Sequence, residues 1–135
     1  TELNEREIPD MPRLAGIDEI EASLEHRARS YLDANCAYCH RPNGVRARFD
    51  ARFDTDLAVQ GLIDGDLGNP LGNDAMRVIT AQDPSRSMAH LRMESREPGL
   101  QMPPLARNVP DARAIEVIRG WIESLPARVA PPETP

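Results

Sequence analysis

Between residues 18 and 35, Ile20, Leu24, Ala28, Tyr31 and Leu32 recur at steps of four, four, three and one, which places them on one face of a helix. Asp18 is the expected N-cap, with Glu21 at a capping-box spacing. A second helix is expected near the end of the chain, where Ile115, Ile118, Trp121, Ile122 and Leu125 keep helical spacing until Pro126. Pro110 suits its first turn and Asp111 its dipole. From 41 to 108, Pro and Gly break the pattern into pieces. Three of these, 55–63, 75–80 and 85–93, are each long enough for a helical turn or two, the last with Met88, Leu91 and Arg92 on one side. No β-sheet alternation appears, so the fold class is all-α, with residues 18–125 as the domain. Residues 1–17, with Pro9, Pro12 and Gly16, read as an extended lead-in or linker, and 126–135 as a proline-rich tail.

Composition changes this picture by making the core look thin. Ile, Leu, Val and Phe number 28 of 135 residues, and there are two Phe, two Tyr and one Trp. That is close to the lower bound for a chain that holds a core alone, so a prosthetic group, metal or partner surface is expected. Charge excludes a nucleic-acid partner: the net charge is -6, the sixteen basic residues are all Arg, and they form no stripe. No apolar run reaches the roughly 18 residues that a membrane helix needs. The opening Thr1-Glu2-Leu3-Asn4-Glu5-Arg6 has no secretory character, and a start on Thr1 reads as a mature or excised product.

Both cysteines fall in Cys36-Ala37-Tyr38-Cys39-His40, the C-x-x-C-H pattern of covalent haem c attachment. Two thiols three positions apart at a helix end reach the two vinyl groups on one porphyrin edge, and the adjacent imidazole meets the iron from one face. Two other chemistries use such a pair. A redox dithiol places its first Cys at the start of a helix after a strand, whereas here a helix precedes the pair. A zinc site needs four ligands, and His26 and His90 have no second cysteine pair to join.

The second axial ligand is sought among Met11, Met76, Met88, Met93, Met102, His26 and His90. Met102 is preferred, because Met102-Pro103-Pro104 is a stiff, extended, donor-poor segment able to lie against an apolar ring just before the last helix. His90 is the rival, otherwise expected at the surface or against a haem propionate. His26 sits three positions from Ser23 and Arg29 and is expected to face solvent.

A helix leading into Cys36-Ala37-Tyr38-Cys39-His40, a loop-rich middle, Met102-Pro103-Pro104 and a last helix bearing Trp121 together resemble a class I c-type cytochrome domain. The resemblance implies a cytochrome c-like fold in which the first and last helices cross in close contact, with Ala28 and Gly120 as the small residues at the crossing. More narrowly, residues 28–42 with Asp83-Pro84-Ser85-Arg86-Ser87 and Met102-Pro103-Pro104-Leu105 look like the cytochrome modules attached to bacterial secreted oxidoreductases. Quinoprotein sugar dehydrogenases of the pyrroloquinoline-quinone type are one such setting. Nothing in 135 residues could form their quinone-binding propeller, so dehydrogenase activity would belong to another domain or chain.

The function expected is therefore electron transfer rather than enzymatic catalysis, with one haem c held by Cys36 and Cys39 and ligated by His40 and Met102. Arg46, Arg48 and Arg52 either meet the haem propionates or form a solvated run alternating with Asp50 and Asp54. Leu and Pro side chains at the haem edge would dock redox protein partners, a dehydrogenase as donor and a cytochrome or oxidase as acceptor, and the acidic balance argues against an anionic partner. Two alternatives need an open iron position: a gas or ligand sensor, and a peroxidase-like site with His90 as its acid-base group. Thioether chemistry points to an oxidising compartment, the periplasm or the exterior of a bacterium, the source being suggested by the resemblance alone.

Overall fold

The computed structural model describes residues 12–106 and 108–127. Met11, most of the expected lead-in and the tail from 128 onward lie outside the described residues. The regular structure is helical: α1 spans Leu24–Cys36, α2 Met88–Glu94 and α3 Ala112–Ser124, with a 3-10 turn at Pro84–Arg86. Among the described residues, strand pairing is limited to isolated bridges between Ile63 and Ile79 and between Arg77 and Ser87.

The first helix starts at Leu24, not at Asp18. Residues 16–22 form turns in which Gly16 O accepts from Glu19 N (3.1 Å) and Glu19 O from Ala22 N (3.0 Å). Ser23 then caps the helix, its Oγ accepting from His26 N at 3.1 Å. Asp18 instead pairs with Arg113 of α3 at 2.6 Å, and Ile20, ahead of the helix, is 75% exposed. The last helix is close to expectation, but its cap is Asp111, whose Oδ1 accepts from Ala114 N at 3.0 Å, so Pro110 stands before the helix.

α1 and α3 pack against each other. Ala28 and Leu32 meet the buried stripe Ala114, Val117, Ile118, Trp121 and Ile122, and Gly120 faces the side chain of Leu24. The middle of the chain completes this core with Leu62, Val78 and Ile79. Residues 55–63 make one turn, with Asp56 O accepting from Val59 N and Gln60 N, and then extend. Residues 75–80, expected as a helical piece, are extended where they meet 62–65: Ile79 N donates to Leu62 O (3.1 Å) and Val78 N to Gly65 O (2.9 Å).

That extended piece has a structural task. Arg77 O and Val78 O accept from Met88 N (2.9 Å) and Ala89 N (3.0 Å), satisfying two of the orphan donors at the start of α2. Ser87 at the N-cap is thereby released from capping, and its Oγ accepts from Thr80 N at 2.8 Å instead. Gln82 N donates to Ile122 O at 2.9 Å, tying the same stretch to the end of α3. The start of α2 is thus seated by main-chain bonds from residues 77–78, a stretch itself tied to α3.

Candidate haem-binding site

α1 ends inside the cysteine motif. Cys36 is its last residue, and the N–H of Ala37 reaches Leu32 O and Asp33 O. Cys36 O then accepts from both Cys39 N (3.1 Å) and His40 N (2.8 Å), so the chain coils once more and carries all three chemical residues onto one wall of a cleft. Val45 N returns to Cys39 O at 2.9 Å and closes the loop. Gly44 sits in this closure, where a Cβ would lie 2.0 Å from Cys39 O.

The thiols are not arranged as a redox dithiol. Burial, with Cys39 adding to it, pushes the Cys36 thiol up to about 11. A helix C-terminus, the negative end of the dipole, also disfavours a thiolate. His40 by contrast has the environment of a ligand. Its ring stacks on Phe49 with centroids 4.3 Å apart and planes at 16°. Burial, and then the charge of Arg92, push its imidazole below the ordinary value, which favours the neutral, metal-binding form at neutral pH. Its Nδ1 is buried without a hydrogen-bond partner.

The loop that follows Phe49 is pinned at several points. Arg29 of α1 donates through Nη2 to Phe53 O (2.8 Å) and Thr55 O (2.7 Å), and Asp33 accepts from Phe53 N at 2.8 Å. Asp50 gathers Arg52 (2.7 Å) and Thr55 (2.9 Å) on one carboxylate oxygen. Those hydrogen bonds hold the Asp50 carboxyl at about 2, below its ordinary 3.8.

The opposite wall is built by α2 and the loop that follows it. Leu100 N and Gln101 N both donate to Glu97 O, forming a turn with Gly99 at φ 83°. The segment before Met102 is therefore folded back rather than extended. Met102 N donates to Arg92 O (3.0 Å), Arg92 Nη1 donates to Leu100 O (3.2 Å), and the Met102–Pro103 peptide is cis.

Between the walls lies a cleft of about 830 Å³, within the range usual for cofactor sites. Cys36, Cys39, His40 and Met102 all line it, and Leu32, Leu62, Leu67 and Val78 make it largely apolar. An apolar slot bordered by two thiols, an imidazole and a thioether fits a porphyrin, which brings four equatorial nitrogens of its own. Among the described residues no group of three or more His, Cys, Asp or Glu gathers to hold a bare metal ion.

Other expectations divide. Arg46 and Arg48 line the cleft and make no ion pair among the described residues, whereas Arg52 is committed to Asp50. Met88 and Met93 also line it, while Met76, His26 and His90 do not. His26, expected to face solvent, is half-buried, stacked on Phe53 at 5.1 Å with Nε2 2.9 Å from Arg13 O. His90, expected at the surface or beside a propionate, is 3% exposed, with Nδ1 3.5 Å from Glu94, whose other oxygen meets Arg119 of α3. Sequence reasoning missed Phe49, Gly44 and the site role of Arg92, because all three act through partners distant along the chain or through backbone proximity. No family model matches the chain, and no curated protein or solved structure is matched either.

Proposed function

We propose that this chain is an electron-transfer domain of the class I c-type cytochrome kind, with Cys36 and Cys39 holding one haem c and His40 and Met102 as its axial ligands. The observation that supports this reading is the shared cleft: Cys36, Cys39 and His40, on one coil of the chain, and Met102, more than 60 residues further on, all line it. Each thiol adds its S–H across a vinyl group, so attachment needs no oxidant and consumes both cysteines. When bound, the haem supplies an iron that gains and loses one electron.

The chain's own residues serve that exchange by holding still. Phe49 stacks on the His40 ring and a main-chain bond to Arg92 anchors the backbone of Met102, so the two residues that would hold the iron are themselves held. The apolar lining excludes water, and Arg46 and Arg48 are free to meet the propionates. Val45 and Pro104 line the cleft, and Val45 and neighbouring Leu105 are among the exposed hydrophobics, giving apolar surface for a redox protein donor and acceptor. Such a domain works outside the cytoplasm and catalyses nothing alone. The peroxidase reading is weakened because His90, its acid-base candidate, does not line the cleft.

The test is the oxidised haem-loaded protein, native against Met102→Ala, read in the red charge-transfer region. A sulfur-to-iron band present natively and lost in the variant is expected. A native spectrum without the band, with carbon monoxide binding readily to the reduced form, would move the weight to a gas sensor.

A further inference from the structure

Arg92 touches both sides of the Met102 turn. Its main-chain oxygen accepts from Met102 N at 3.0 Å and its Nη1 donates to Leu100 O at 3.2 Å, two bonds that bracket Gln101. The first belongs to the α2 backbone and would survive any substitution. The second belongs to the side chain alone. Arg92 is half-buried and among the residues that line the cleft, and its side chain makes no ion pair among the described residues.

We propose that Arg92 is the positioning residue of this site: its side chain clamps the Met102 loop onto α2, and its unpaired charge inside the cleft favours the reduced state of the haem. The proposal rests on the haem reading above and adds to it which residue tunes the ligand. The clamp follows from the Leu100 hydrogen bond, which is charge-assisted and among the stronger kinds. The bias toward the reduced state follows from Coulomb's law, since a fixed positive charge in a low-dielectric cleft disfavours the more positive iron.

The experiment uses the haem-loaded protein as native, Arg92→Met and Arg92→Lys, with cyanide affinity of the oxidised form and reduction potential as readouts. Arg92→Met is expected to bind cyanide on the order of tenfold more tightly, matching the loss of one charge-assisted hydrogen bond from the loop that cyanide must displace. Its potential is expected to fall, while Arg92→Lys, which keeps the charge, retains the native potential and shows an intermediate cyanide affinity. A merely structural residue would not be rescued in potential by lysine. Native cyanide affinity and native potential in Arg92→Met would overturn the proposal. If Arg92→Met does not load haem, Arg92→Lys decides: a native potential with tighter cyanide binding supports the clamp, and a potential lowered with unchanged cyanide binding overturns it. A native protein without the sulfur band would instead sink the haem ligation reading itself, a separate outcome.

Discussion

The two walls of the cleft are held in different ways. The Cys36–His40 wall is continuous with a 13-residue helix, closed by short-range main-chain bonds, and backed by Phe49 and a loop that Arg29, Asp33 and Asp50 bind on several sides. The Met102 wall is a turn outside any helix, leaning on one residue of the 7-residue α2. Stiffness on one side and a small number of anchors on the other is a useful asymmetry. In the function proposed, the side that would hold the haem covalently has to survive any conformational change, while the Met side would set how tightly the iron's other ligand is kept. Substitutions that disturb the first wall should therefore unsettle the whole domain, and those that disturb the second should act locally.

The largest expected effect is at Gly44. A Cβ there would meet Cys39 O at 2.0 Å and Arg41 O at 2.9 Å, both backbone atoms that cannot rotate away. Gly44→Ala must therefore open the loop that Val45 closes onto Cys39, at a cost of about 1–3 kcal/mol as for other overpacked sites. Chemical denaturation of the haem-loaded protein measures it, and native stability in the variant would show that the first wall is softer than its contacts imply.

Acid should weaken the same wall by a smaller amount. Asp50 titrates at about 2 in the fold against an ordinary 3.8, chiefly because Arg52 hydrogen-bonds to its charged form. With the folded value depressed, its contribution is fully present above about pH 4 and is lost as pH falls toward 2. Glu19 and Asp83 are held at about 2 as well, so the native protein's acid transition reads all three. Asp50→Asn isolates the share behind Phe49: the variant should lose on the order of 1 kcal/mol at neutral pH and show a shallower acid slope, discounted for solvent around Arg52. An unchanged slope would mean that the loop at 50–55 is held by Arg29 and Asp33 alone.

The same asymmetry explains what was legible in the chain. The first wall is local, so Cys36, Cys39 and His40 could be read from spacing, and they do share one wall. Met102, singled out by its prolines, lines the same cleft as the cysteine motif. The helix faces of Ala28, Leu32, Ile118 and Trp121 were legible because periodicity reports burial directly. The start of α1 was misplaced because Asp18 and Ser23 are both capable caps, and Asp18 is instead paired with Arg113, 95 residues away along the chain. Residues 75–80 were misread because extended backbone there is stabilised by partners at 62–65 and 88–89 that no local window contains. His90 follows the same logic in part: Glu94 lies one turn further along α2, but only the packing of α2 on α3 brings Arg119 to that carboxylate.

The smallest expected effect on stability, and the sharpest test of the comparison, lies at Gly99. Its φ of 83° is a left-handed conformation that an L side chain rarely adopts, yet no atom lies within 4 Å of an added Cβ. Gly99→Ala thus meets backbone strain without a clash, about 1 kcal/mol. Because Leu100 N and Gln101 N share Glu97 O in that turn, relieving the strain shifts Leu100 relative to the Arg92 side chain and leaves the cysteine wall untouched. Haem loading should be native and the denaturation midpoint nearly so. Cyanide should still displace Met102 more readily, in the direction expected of Arg92→Met though by less. If Gly99→Ala instead lowers global stability as much as Gly44→Ala, the Met102 loop is as integral to the fold as the cysteine turn, and the division between a rigid wall and a tunable one is wrong.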